Sequence, residues 1–492
     1  MHLTDLIDRT AGTHMASGTT RQIDITGLTA DSRAVREGYL FAAIPGTRAD
    51  GRQFIADAVA NGARAVLAPE DTQLDAGVNA TLVEATDVRS AFARMAAAFY
   101  GRQPAFIAAV TGTNGKTSVA TFARQLWTRA GEQAASVGTL GLVPEIADSP
   151  GKLTTPDPEA LHRCLAQLAD QGVHRLAIEA SSHGLDQARL DGLQVSAAAF
   201  TNLTQDHLDY HGTLDAYLAA KLRLFSHLLQ DGGTAVVNAD SQHAGAVLEA
   251  CRTRNLTVWT YGEAKTSDIR LAARQPTLAG QHLELDLFGD SARVQLPLVG
   301  KFQAMNALAA LGLVLASGLD RDAALAGMAA LEGVPGRLQR VAETPSGGQV
   351  FVDYAHTPDA LETVLQALRP HVGRRLICIF GCGGDRDRGK RPIMGEIAAR
   401  LAEEAIVTDD NPRSEDPAAI RQEILAAAPD SREVDDRARA IREAIAEMDD
   451  GDLLLIAGKG HETGQIVGDQ TLPFDDAEVA RAAIAQLKAG HP

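Results

Sequence analysis

The sequence is poor in cysteine, in aromatic residues and in long apolar runs. Its 492 residues include four cysteines, and aromatic side chains make up only 4% of the chain. Four scattered thiols are too few for a disulfide framework, and the one close pair, Cys378 and Cys382, fits no zinc spacing. We therefore expect a reducing, cytoplasmic setting. The scarcity of aromatic rings also argues against platforms on which nucleic-acid bases stack.

Membrane and export signals are missing as well. No run of 18 uncharged apolar residues could form a spanning helix, although 45% of the residues are hydrophobic. The N-terminal MHLTDLIDRTAG lacks the basic and apolar segments of a signal peptide. A soluble globular protein of two to four domains is the expected class for this length.

The sequence also lacks an excess of basic residues. Asp and Glu number 63 against 46 Lys and Arg, which gives a formal net charge of −17. This charge argues against general binding to nucleic acid or to anionic membranes. It leaves room for an anionic small substrate, because local basic groups decide that binding. We expect a monomer.

Segments typical of strands and helices alternate and predict three domains. Residues 1–102 contain the strand-like RQIDITGLTADSR and GYLFAAI, followed by the helix-like FIADAVANGARAV. Residues 103–332 begin with FIAAV and continue with the predicted strands ASVGTL, HRLAIEA, SAAAFTN and GTAVVNA, a pattern typical of a parallel, doubly wound sheet. The later VWTYGE, LELDLFG and ARVQLPL predict appended antiparallel strands.

A third α/β domain is predicted over residues 333–492. The segment EGVPGRLQR, at 332–340, is a candidate hinge, and QVFVDYA, RLICIFG, EAIVTDD and DLLLIAG are the predicted strands that follow. Each strand leads into a polar loop, and the carboxyl ends of parallel strands are where functional groups gather. The predicted fold class is therefore α/β in three domains. The central one is a P-loop-like, mostly parallel sheet with appended antiparallel strands, and the C-terminal one is Rossmann-like.

The stretch VTGTNGKTSVA, at 110–120, predicts a phosphate-binding loop. It joins a predicted strand to a helix, and Gly112 and Gly115 allow backbone N–H groups to turn towards a polyphosphate at the helix N-terminus. Lys116 would reach the β- and γ-phosphates, and Thr117 could offer a hydroxyl to Mg²⁺. A standard P-loop has glycine five residues before Gly115, whereas this chain has Val110. That departure weakens a Ras-like or simple ATPase interpretation.

Further polar residues follow the next predicted strands. Glu179 ends HRLAIEA and is a natural oxygen ligand for Mg²⁺. His207, in TNLTQDHLDYHGTLDAY, is by itself more typical of a surface or core histidine, as are His183 and His211. Lys221, in AYLAAKLRLF, is by itself a lysine on the solvated face of a helix.

With the motifs GVPGR, DYAHTP, GCGGDRD, DNPR and GKGHE, the loop TGTNGKTS resembles the Mur ligase family over nearly the whole chain. The resemblance implies ATP-driven amide-bond formation. ATP phosphorylates the terminal carboxylate of a bound nucleotide-peptide to an acyl phosphate, an amine attacks it, and phosphate leaves. Mg²⁺ is implied as cofactor and peptidoglycan-precursor synthesis as the process.

The resemblance also implies roles for matching residues. Catalytic roles fall to Lys116, Glu179, His207 and Lys221, and the expected Mg²⁺ ligands are Thr117, Glu179, His207 and Lys221 as its carbamate. A lysine can capture CO₂ in this way only if its pKa is lowered. The expected ATP-binding residues are Gly112, Thr113, Asn114, Gly115, Lys116, Thr117, Ser118, Asn306, Arg337 and Asp353, with Tyr354 and His356 beside Asp353. The expected UDP-N-acetylmuramoyl-dipeptide-binding residues are Ala30, Ser32, Thr47, Arg48, Ala49, Thr154, Thr155, Ser181, Gln187 and Arg189.

The stretch VTDDNPRSEDP bears on the incoming amino acid. Diaminopimelate differs from lysine by one distal carboxylate, which the guanidinium of Arg413 could bind through two parallel hydrogen bonds. Asp410 could take the distal ammonium. The resemblance therefore implies addition of meso-2,6-diaminopimelate to UDP-N-acetylmuramoyl-L-alanyl-D-glutamate. The expected amino-acid-binding residues are Arg386, Asp410, Asn411, Pro412, Arg413, Gly458 and Glu462.

Four alternatives remain at the level of sequence. An L-lysine-adding relative is the nearest, and Arg413 speaks against it. A folylpolyglutamate synthetase has no evident use for the N-terminal domain or for DNPR. A regulator that has lost catalysis would not need Lys116, Glu179, His207 and Lys221 together. A dehydrogenase is suggested only by GCGGDR, a weak Gly-rich turn followed by DRGKRP.

Overall fold

A computed structural model describes residues 1–16, 23–46, 49–75, 77–146, 151 and 153–489. The chain forms two compact units, Met1–Ser267 with Ala309–Ala324, and Asp268–Leu308 with Leu325–Pro492. Within the described ranges, no helix combines the length and the apolar character needed to cross a bilayer.

The first unit begins with a small α/β domain. Its sheet has the strand order β1-β5-β4-β3-β2, in which β1 is antiparallel and the other pairs are parallel. The predicted FIADAVANGARAV helix is confirmed over Ile55–Ala60, but its end is wrong, because Ala63 begins a buried strand. The elements are α1 Leu3–Asp8, β1 Thr13–Met15, β2 Gly27–Thr29, β3 Tyr39–Ala42, α2 Ile55–Ala60, β4 Ala63–Ala68, β5 Thr81–Ala85 and α3 Val88–Tyr100.

A central, mostly parallel sheet completes the first unit. Its order is β12-β11-β10-β6-β9-β7-β8, with only the β7–β8 pair antiparallel among these strands. The non-sequential order brings the carboxyl ends of β6, β9 and β10 side by side. The elements are β6 Phe106–Thr111, α4 Lys116–Arg129, β7 Ala134–Gly138, β8 Gly141–Val143, α5 Pro158–Asp170, β9 Arg175–Glu179, α6 Ser182–Asp186, β10 Val195–Phe200, α7 Leu208–His211, α8 Leu214–Arg223, β11 Leu229–Asn238, α9 Ala244–Thr253 and β12 Thr257–Gly262.

Buried aliphatic side chains hold this sheet between its helices. Ile107 of β6, Leu176 of β9 and Leu165 of α5 have no exposed surface and belong to one apolar cluster. Strands buried on both faces carry near-continuous apolar runs, which is why FIAAV and RLAIE were recognisable in the sequence. The predicted strand VWTYGE is real, but its antiparallel assignment is wrong, because β12 pairs in parallel with β11.

The second unit contains the predicted antiparallel strands and one that was not predicted. Strands β13 Ile269–Thr277, β14 Gly280–Leu287 and β15 Asp290–Leu296 pair antiparallel in chain order. The prediction lacked β13, whose sequence IRLAARQPT is mixed in polarity. Two helices follow in the chain, α10 Lys301–Ala316 and α11 Arg321–Met328.

The C-terminal domain is a Rossmann-like α/β domain. Its sheet has the order β16-β17-β21-β18-β19-β20, antiparallel at β16 and parallel elsewhere. The three-domain α/β fold class is confirmed. The elements are β16 Gln339–Glu343, β17 Gln349–Asp353, α12 Pro358–Leu368, β18 Leu376–Phe380, α13 Lys390–Leu401, β19 Glu404–Val407, α14 Pro417–Leu425, β20 Arg432–Glu433, α15 Arg437–Ala446, β21 Leu453–Ala457, β22 Gly464–Val467, β23 Gln470–Pro473 and α16 Asp476–Lys488.

Candidate active site

The predicted phosphate loop joins β6 to α4. Gly115 is the N-cap of α4 with φ of 90°, and Gly112 has φ of 147°. A Cβ at position 112 would lie 1.9 Å from Oγ1 of Thr201, so the close approach of this loop to the residue that follows β10 requires glycine. Asn202 fixes the loop from the same side, because its Oδ1 accepts a hydrogen bond from the Asn114 N–H at 3.0 Å. The loop therefore opens at a helix N-terminus, where an anion is favoured.

Lys116 and Glu179 bring opposite charges to this loop. The Lys116 ammonium donates to the carbonyls of Gly112 and Thr113 at 3.0 and 2.8 Å. Glu179 ends β9 with 1% of its surface exposed, and it accepts hydrogen bonds from the N–H of Thr139 and from the Thr117 hydroxyl. Burial raises the pKa of Glu179, and the nearby Lys116 opposes that rise. A buried carboxylate and a hydroxyl thus lie together beside the phosphate loop.

Lys221 is buried, contrary to the solvated position typical of a lone lysine on a helix. Only 1% of it is exposed on α8, its Nζ donates to the Gly112 carbonyl at 2.8 Å, and it lies 4.2 Å from the centre of the Tyr217 ring. Burial, with a contribution from the charge of Lys116, lowers the pKa of Lys221 to about 6. The amine is therefore largely neutral at pH 7.5, which is the form that reacts with CO₂.

The three local histidines lie together. The His183 ring is 5.0 Å from that of His207 and 5.6 Å from that of His211, centre to centre. His207 is the N-cap of α7, has φ of 53°, and has 46% of its side chain exposed. Burial lowers the pKa of both His183 and His211. Among the described residues, no three His, Cys, Asp or Glu side chains gather as a metal-binding group.

Residues predicted to bind the muramoyl-peptide form a hydrogen-bonded group. Thr155 lies 2.9 Å from Ser181, oxygen to oxygen, and donates to the Glu179 carbonyl at 2.8 Å. Arg189 donates to the Thr155 carbonyl at 2.8 Å and to Gln187 Oε1 through two nitrogens. The Thr154 hydroxyl lies 3.2 Å from that of Thr139. The group is thus continuous with the carboxylate of Glu179.

The predicted uridine-nucleotide residues are only partly described. Ser32 opens a short 3-10 turn capped by Asp31, and its carbonyl accepts a hydrogen bond from Asn61. Ala30 precedes this turn, and the Ala49 carbonyl accepts a hydrogen bond from the Gly46 N–H at 3.0 Å. Thr47 and Arg48 lie outside the described residues.

The second unit connects three of the predicted ATP-binding residues. Asn306 donates to Gln303, and Gln303 donates to the Arg337 carbonyl at 3.0 Å. Asp353, at the end of β17, accepts from the N–H groups of Leu338 and Ala355 at 2.7 and 2.8 Å. Burial raises the pKa of Asp353 to about 6. Asp353 therefore holds the turn that presents Arg337.

Arg337 also contacts an aromatic group that follows Asp353. Its guanidinium lies 5.5 Å from the centre of the Tyr354 ring. The Tyr354 ring is in turn 4.6 Å from the ring of His356 and 5.4 Å from that of His461. The DYAHTP and GKGHE motifs are therefore neighbours in this unit.

The predicted amino-acid-binding residues lie on three loops that are hydrogen-bonded together. The Asn411 carbonyl accepts from the Gly384 N–H at 2.9 Å, and the Arg413 guanidinium donates to the Gly384 carbonyl at 2.8 Å. The Asn411 side chain donates to Glu462 at 2.9 Å. Lys459, fully buried, donates to both Asn411 and Glu462 at 3.0 Å. The motifs GCGGDRD, DNPR and GKGHE thus form one cluster.

Asp410 is the buried carboxylate of this cluster. Burial raises its pKa, and the charges of Arg437 and Lys459 oppose the rise. Gly458 has φ of 117°, and a Cβ there would lie 2.6 Å from Asp410 Oδ2. Pro412 contacts Gly384, while Arg386 is exposed at the rim of the same loop. The cluster offers both a carboxylate and a guanidinium to a zwitterionic ligand.

The sequence predictions did not include several supporting residues. Thr139, Asn202 and Tyr217 hold Glu179, the phosphate loop and Lys221, respectively. Lys459 could have been singled out, since it lies inside the quoted GKGHE. Arg437 carries no local signal, because RARAIREAIA reads as an ordinary amphipathic helix.

A glycine-rich GKT loop beside a buried glutamate, at the carboxyl edge of a parallel sheet, defines a nucleotide-dependent enzyme of the phosphoryl-transfer class. Three family models match the chain. The Mur ligase family catalytic domain covers residues 24–100, the Mur ligase middle domain 110–314, and the Mur ligase glutamate ligase domain 336–460.

The chain is also similar to individual proteins. It is 56% identical over 465 residues to the UDP-N-acetylmuramoyl-L-alanyl-D-glutamate–2,6-diaminopimelate ligase of Caulobacter vibrioides, covering 93% of this chain and 95% of that protein. A solved structure of a ligase with the same description aligns with a TM-score of 0.78 and 35% identity, covering 96% of this chain and 98% of the other. The MurF ligase of Thermotoga maritima in complex with ADP shares the fold at a TM-score of 0.59 and 18% identity, covering 96% and 100%.

The chain belongs to the Mur ligase family. It is an ATP-dependent amide ligase of peptidoglycan synthesis.

Proposed function

We propose that the protein adds meso-2,6-diaminopimelate to UDP-N-acetylmuramoyl-L-alanyl-D-glutamate, with release of ADP and phosphate. The observation that carries this choice of amino acid is the cluster of Asp410, Asn411 and Arg413 with Glu462. It offers a guanidinium for the distal carboxylate, which lysine lacks, and a carboxylate for the distal ammonium. The name of the Caulobacter relative, at 56% identity, supports the same choice.

The activation step uses the first unit. ATP phosphorylates the D-glutamate side-chain carboxylate of the nucleotide-peptide, which is held by the group that contains Thr155, Ser181 and Arg189. Lys116 neutralises charge on the transferred phosphoryl group, and the N-terminus of α4 stabilises the phosphates. The amine of diaminopimelate then attacks the acyl phosphate, loses a proton, and expels inorganic phosphate.

A magnesium ion fits the donor chemistry beside the phosphate loop. The Thr117 hydroxyl and the Glu179 carboxylate are hard oxygen donors in contact, and His207 would add a nitrogen. Because the described residues offer so few protein ligands, water and ATP phosphates would complete the coordination, as Mg²⁺ prefers. When bound, the ion would neutralise part of the negative charge of the reacting groups.

We further propose that Lys221 acts as a carbamate. Its neutral amine attacks CO₂, a C–N bond forms, and one proton is released, which leaves an anion with two oxygens. The buried position and the lowered pKa of Lys221 support this assignment. The carbamate would add oxygen donors next to Lys116 and the phosphate loop.

The few cysteines and the net charge of −17 support a cytoplasmic enzyme that binds neither nucleic acid nor membranes, and we propose that it is a monomer. Its four cysteines are free, buried thiols. By supplying peptidoglycan precursors, it would support cell-wall growth, cell shape and division.

The test is a coupled assay of ADP release with UDP-N-acetylmuramoyl-L-alanyl-D-glutamate. We expect release with meso-diaminopimelate and little with L-lysine or without an amine. Preference for L-lysine would favour the lysine-adding alternative. Equal release in all three reactions would make the protein an ATPase and contradict the proposal.

A further inference from the structure

The hairpin of β22 and β23 lies against the loop of residues 410–413, which we call the specificity loop. Strand β22 covers Gly464–Val467, and β23 covers Gln470–Pro473. The chain reaches this hairpin directly after GKGHE. Arg413 forms an isolated parallel bridge with Val467, which places the hairpin alongside the loop.

Hydrogen bonds tie the hairpin to three residues of the specificity loop. Gln465 donates from its side chain to the Asp410 carbonyl at 2.7 Å, and the Ile466 N–H donates to Asn411 Oδ1 at 2.9 Å. The Arg413 N–H donates to the Ile466 carbonyl at 3.1 Å, and the Gly468 N–H donates to the Arg413 carbonyl at 2.8 Å. The hairpin therefore contacts the loop at both of its ends.

These contacts matter because the loop has an unfavourable backbone conformation. Arg413 has φ of 51°, a left-handed value that is unfavourable for a residue other than glycine. Hydrogen bonds to its N–H and to its carbonyl, both from the hairpin, stabilise this conformation. The direction of the guanidinium follows from the backbone, and a binding group has to be held within about 0.5 Å of its productive position.

Gln465 is the best single point at which to test the hairpin. Of the four hydrogen bonds, its bond is the one that uses a hairpin side chain as donor, so a substitution can remove it without changing the backbone. It acts on Asp410, whose carboxylate is buried near the charges of Arg437 and Lys459.

We propose that the β22–β23 hairpin positions the specificity loop for the distal end of the amino-acid substrate, and that Gln465 is a positioning residue for its recognition. This inference rests on the proposed function. Gln465 touches no reacting atom. It holds Asp410 and, through the shared hairpin, Arg413 in the arrangement that receives an ammonium and a carboxylate together.

The test compares Gln465→Met with Gln470→Met, the same change at an exposed position of the same hairpin. Gln465→Met keeps the length of the side chain but leaves the Asp410 carbonyl without this donor. We expect the KM for meso-diaminopimelate to rise about tenfold, which corresponds to about 1.4 kcal/mol, because the Asp410 carbonyl loses its hydrogen-bond donor. The KM values for ATP and for the nucleotide-peptide, and the kcat at saturation, should stay within about threefold of wild type. Gln470→Met should match wild type in all of these.

Thermal melts check that each variant is folded. If Gln465→Met does not fold, Gln465→Glu takes its place. An unchanged KM for diaminopimelate in a folded variant would overturn the proposal, and so would an equal loss for all three substrates, which indicates a merely structural role. The wild-type assay separates the two hypotheses. If wild type shows no diaminopimelate-dependent ADP release, the proposed function fails. If wild type shows it and Gln465→Met behaves like wild type, only the positioning role fails.

Discussion

At the scale of single residues, the candidate site of the first unit contains two buried ionisable side chains. Glu179 and Lys221 each have only 1% of their surface exposed, and burial raises the pKa of the acid and lowers that of the base. Both shifts have the same cause, which is that a charge leaves water only at high cost. Such groups are retained where a ligand or a modification compensates them, so both residues are candidates for chemistry.

Lys221→Ala should abolish most of the ligase activity. If the carbamate supports the metal-bound carboxyl centre, kcat should fall by about 100-fold or more, by analogy with the loss of one preorganised electrostatic group. Added formate or acetate should partly restore turnover by supplying the missing oxygens. The measurement is ADP release with and without the carboxylate.

The exposed Lys265→Ala is the matched control for this substitution and should behave like wild type. Full turnover by Lys221→Ala would remove Lys221 from the mechanism.

Arg413→Ala should selectively weaken the reaction with diaminopimelate. Loss of the Arg413 guanidinium leaves the distal carboxylate of diaminopimelate unpaired. We expect this to lower kcat/KM by an amount that corresponds to about 2–5 kcal/mol. Arg413→Lys should recover only part of this loss, because an ammonium cannot make two parallel hydrogen bonds. The kcat/KM for diaminopimelate is the quantity to measure.

An exposed arginine of the same domain, changed in Arg442→Ala, provides the control. Equal kcat/KM for wild type and Arg413→Ala would contradict the assigned role.

At the scale of elements, the C-terminal domain is tied together by a buried ion pair. Arg437 at the start of α15 donates to Asp476 at the start of α16 at 2.7 and 2.8 Å, and both side chains are fully buried. Arg437 also donates to the Ala457 carbonyl at the end of β21. Two helices and a strand that leads to Gly458 are thus joined at one guanidinium.

Arg437→Met should therefore destabilise the protein strongly. The substitution leaves the carboxylate of Asp476 buried without its partner, a change that costs about 3–5 kcal/mol. Chemical denaturation of wild type and variant would measure the loss. Arg439→Met, on the same helix but with 51% of its side chain exposed, should cost no more than about 1 kcal/mol. Similar losses of unfolding free energy for the two substitutions would show that the buried pair contributes no more to stability than an exposed arginine.

At the scale of the whole molecule, stability should depend on pH through a histidine in the core. His162 on α5 is buried, its Nε2 lies 3.4 Å from the Asp191 carbonyl, and burial lowers its pKa from 6.5 to about 4. Between these values the unfolded chain binds a proton that the folded chain does not. The free energy of unfolding therefore rises with pH in this window, and stability is lost as the pH falls from 6.5 to 4.

His162→Gln should reduce this acid sensitivity. The shift corresponds to roughly 3 kcal/mol across the full window, so wild type should lose more stability than the variant between pH 7 and pH 5. Thermal melts at the two pH values check this. The exposed His174→Gln is the control and should keep the wild-type difference. Equal pH dependence in wild type and His162→Gln would show that another group is responsible.

Much of the architecture followed from local patterns in the sequence. Apolar runs such as FIAAV and LLLIA predicted buried parallel strands, and the strand–GKT–helix order predicted the phosphate loop, because glycine spacing and helix polarity act within a few residues. The end of FIADAVANGARAV and the pairing of VWTYGE were wrong, since helix or strand state at such boundaries depends on distant neighbours. Strand β13 was missed because its sequence, IRLAARQPT, is mixed in polarity.

The motifs of the candidate site could be predicted from the sequence, but the burial and the contacts of their residues could not. The order of GTNGKT, DNPR and GKGHE is a property of the chain, whereas the roles of their residues, and their meeting in one cleft, stay predictions. The domain boundaries at 102 and 332 stay predictions too.

By itself, the sequence determined the fold class, the phosphate loop and the family, because these depend on short-range spacing and on backbone freedom at a few glycines. Only the tertiary structure decided that Lys221 is buried, that Asp410 lies near Arg437, and that a hairpin stabilises Arg413 in a left-handed conformation. The reason is physical. Desolvation and charge pairing act through space between segments far apart in the chain, and no local pattern encodes them.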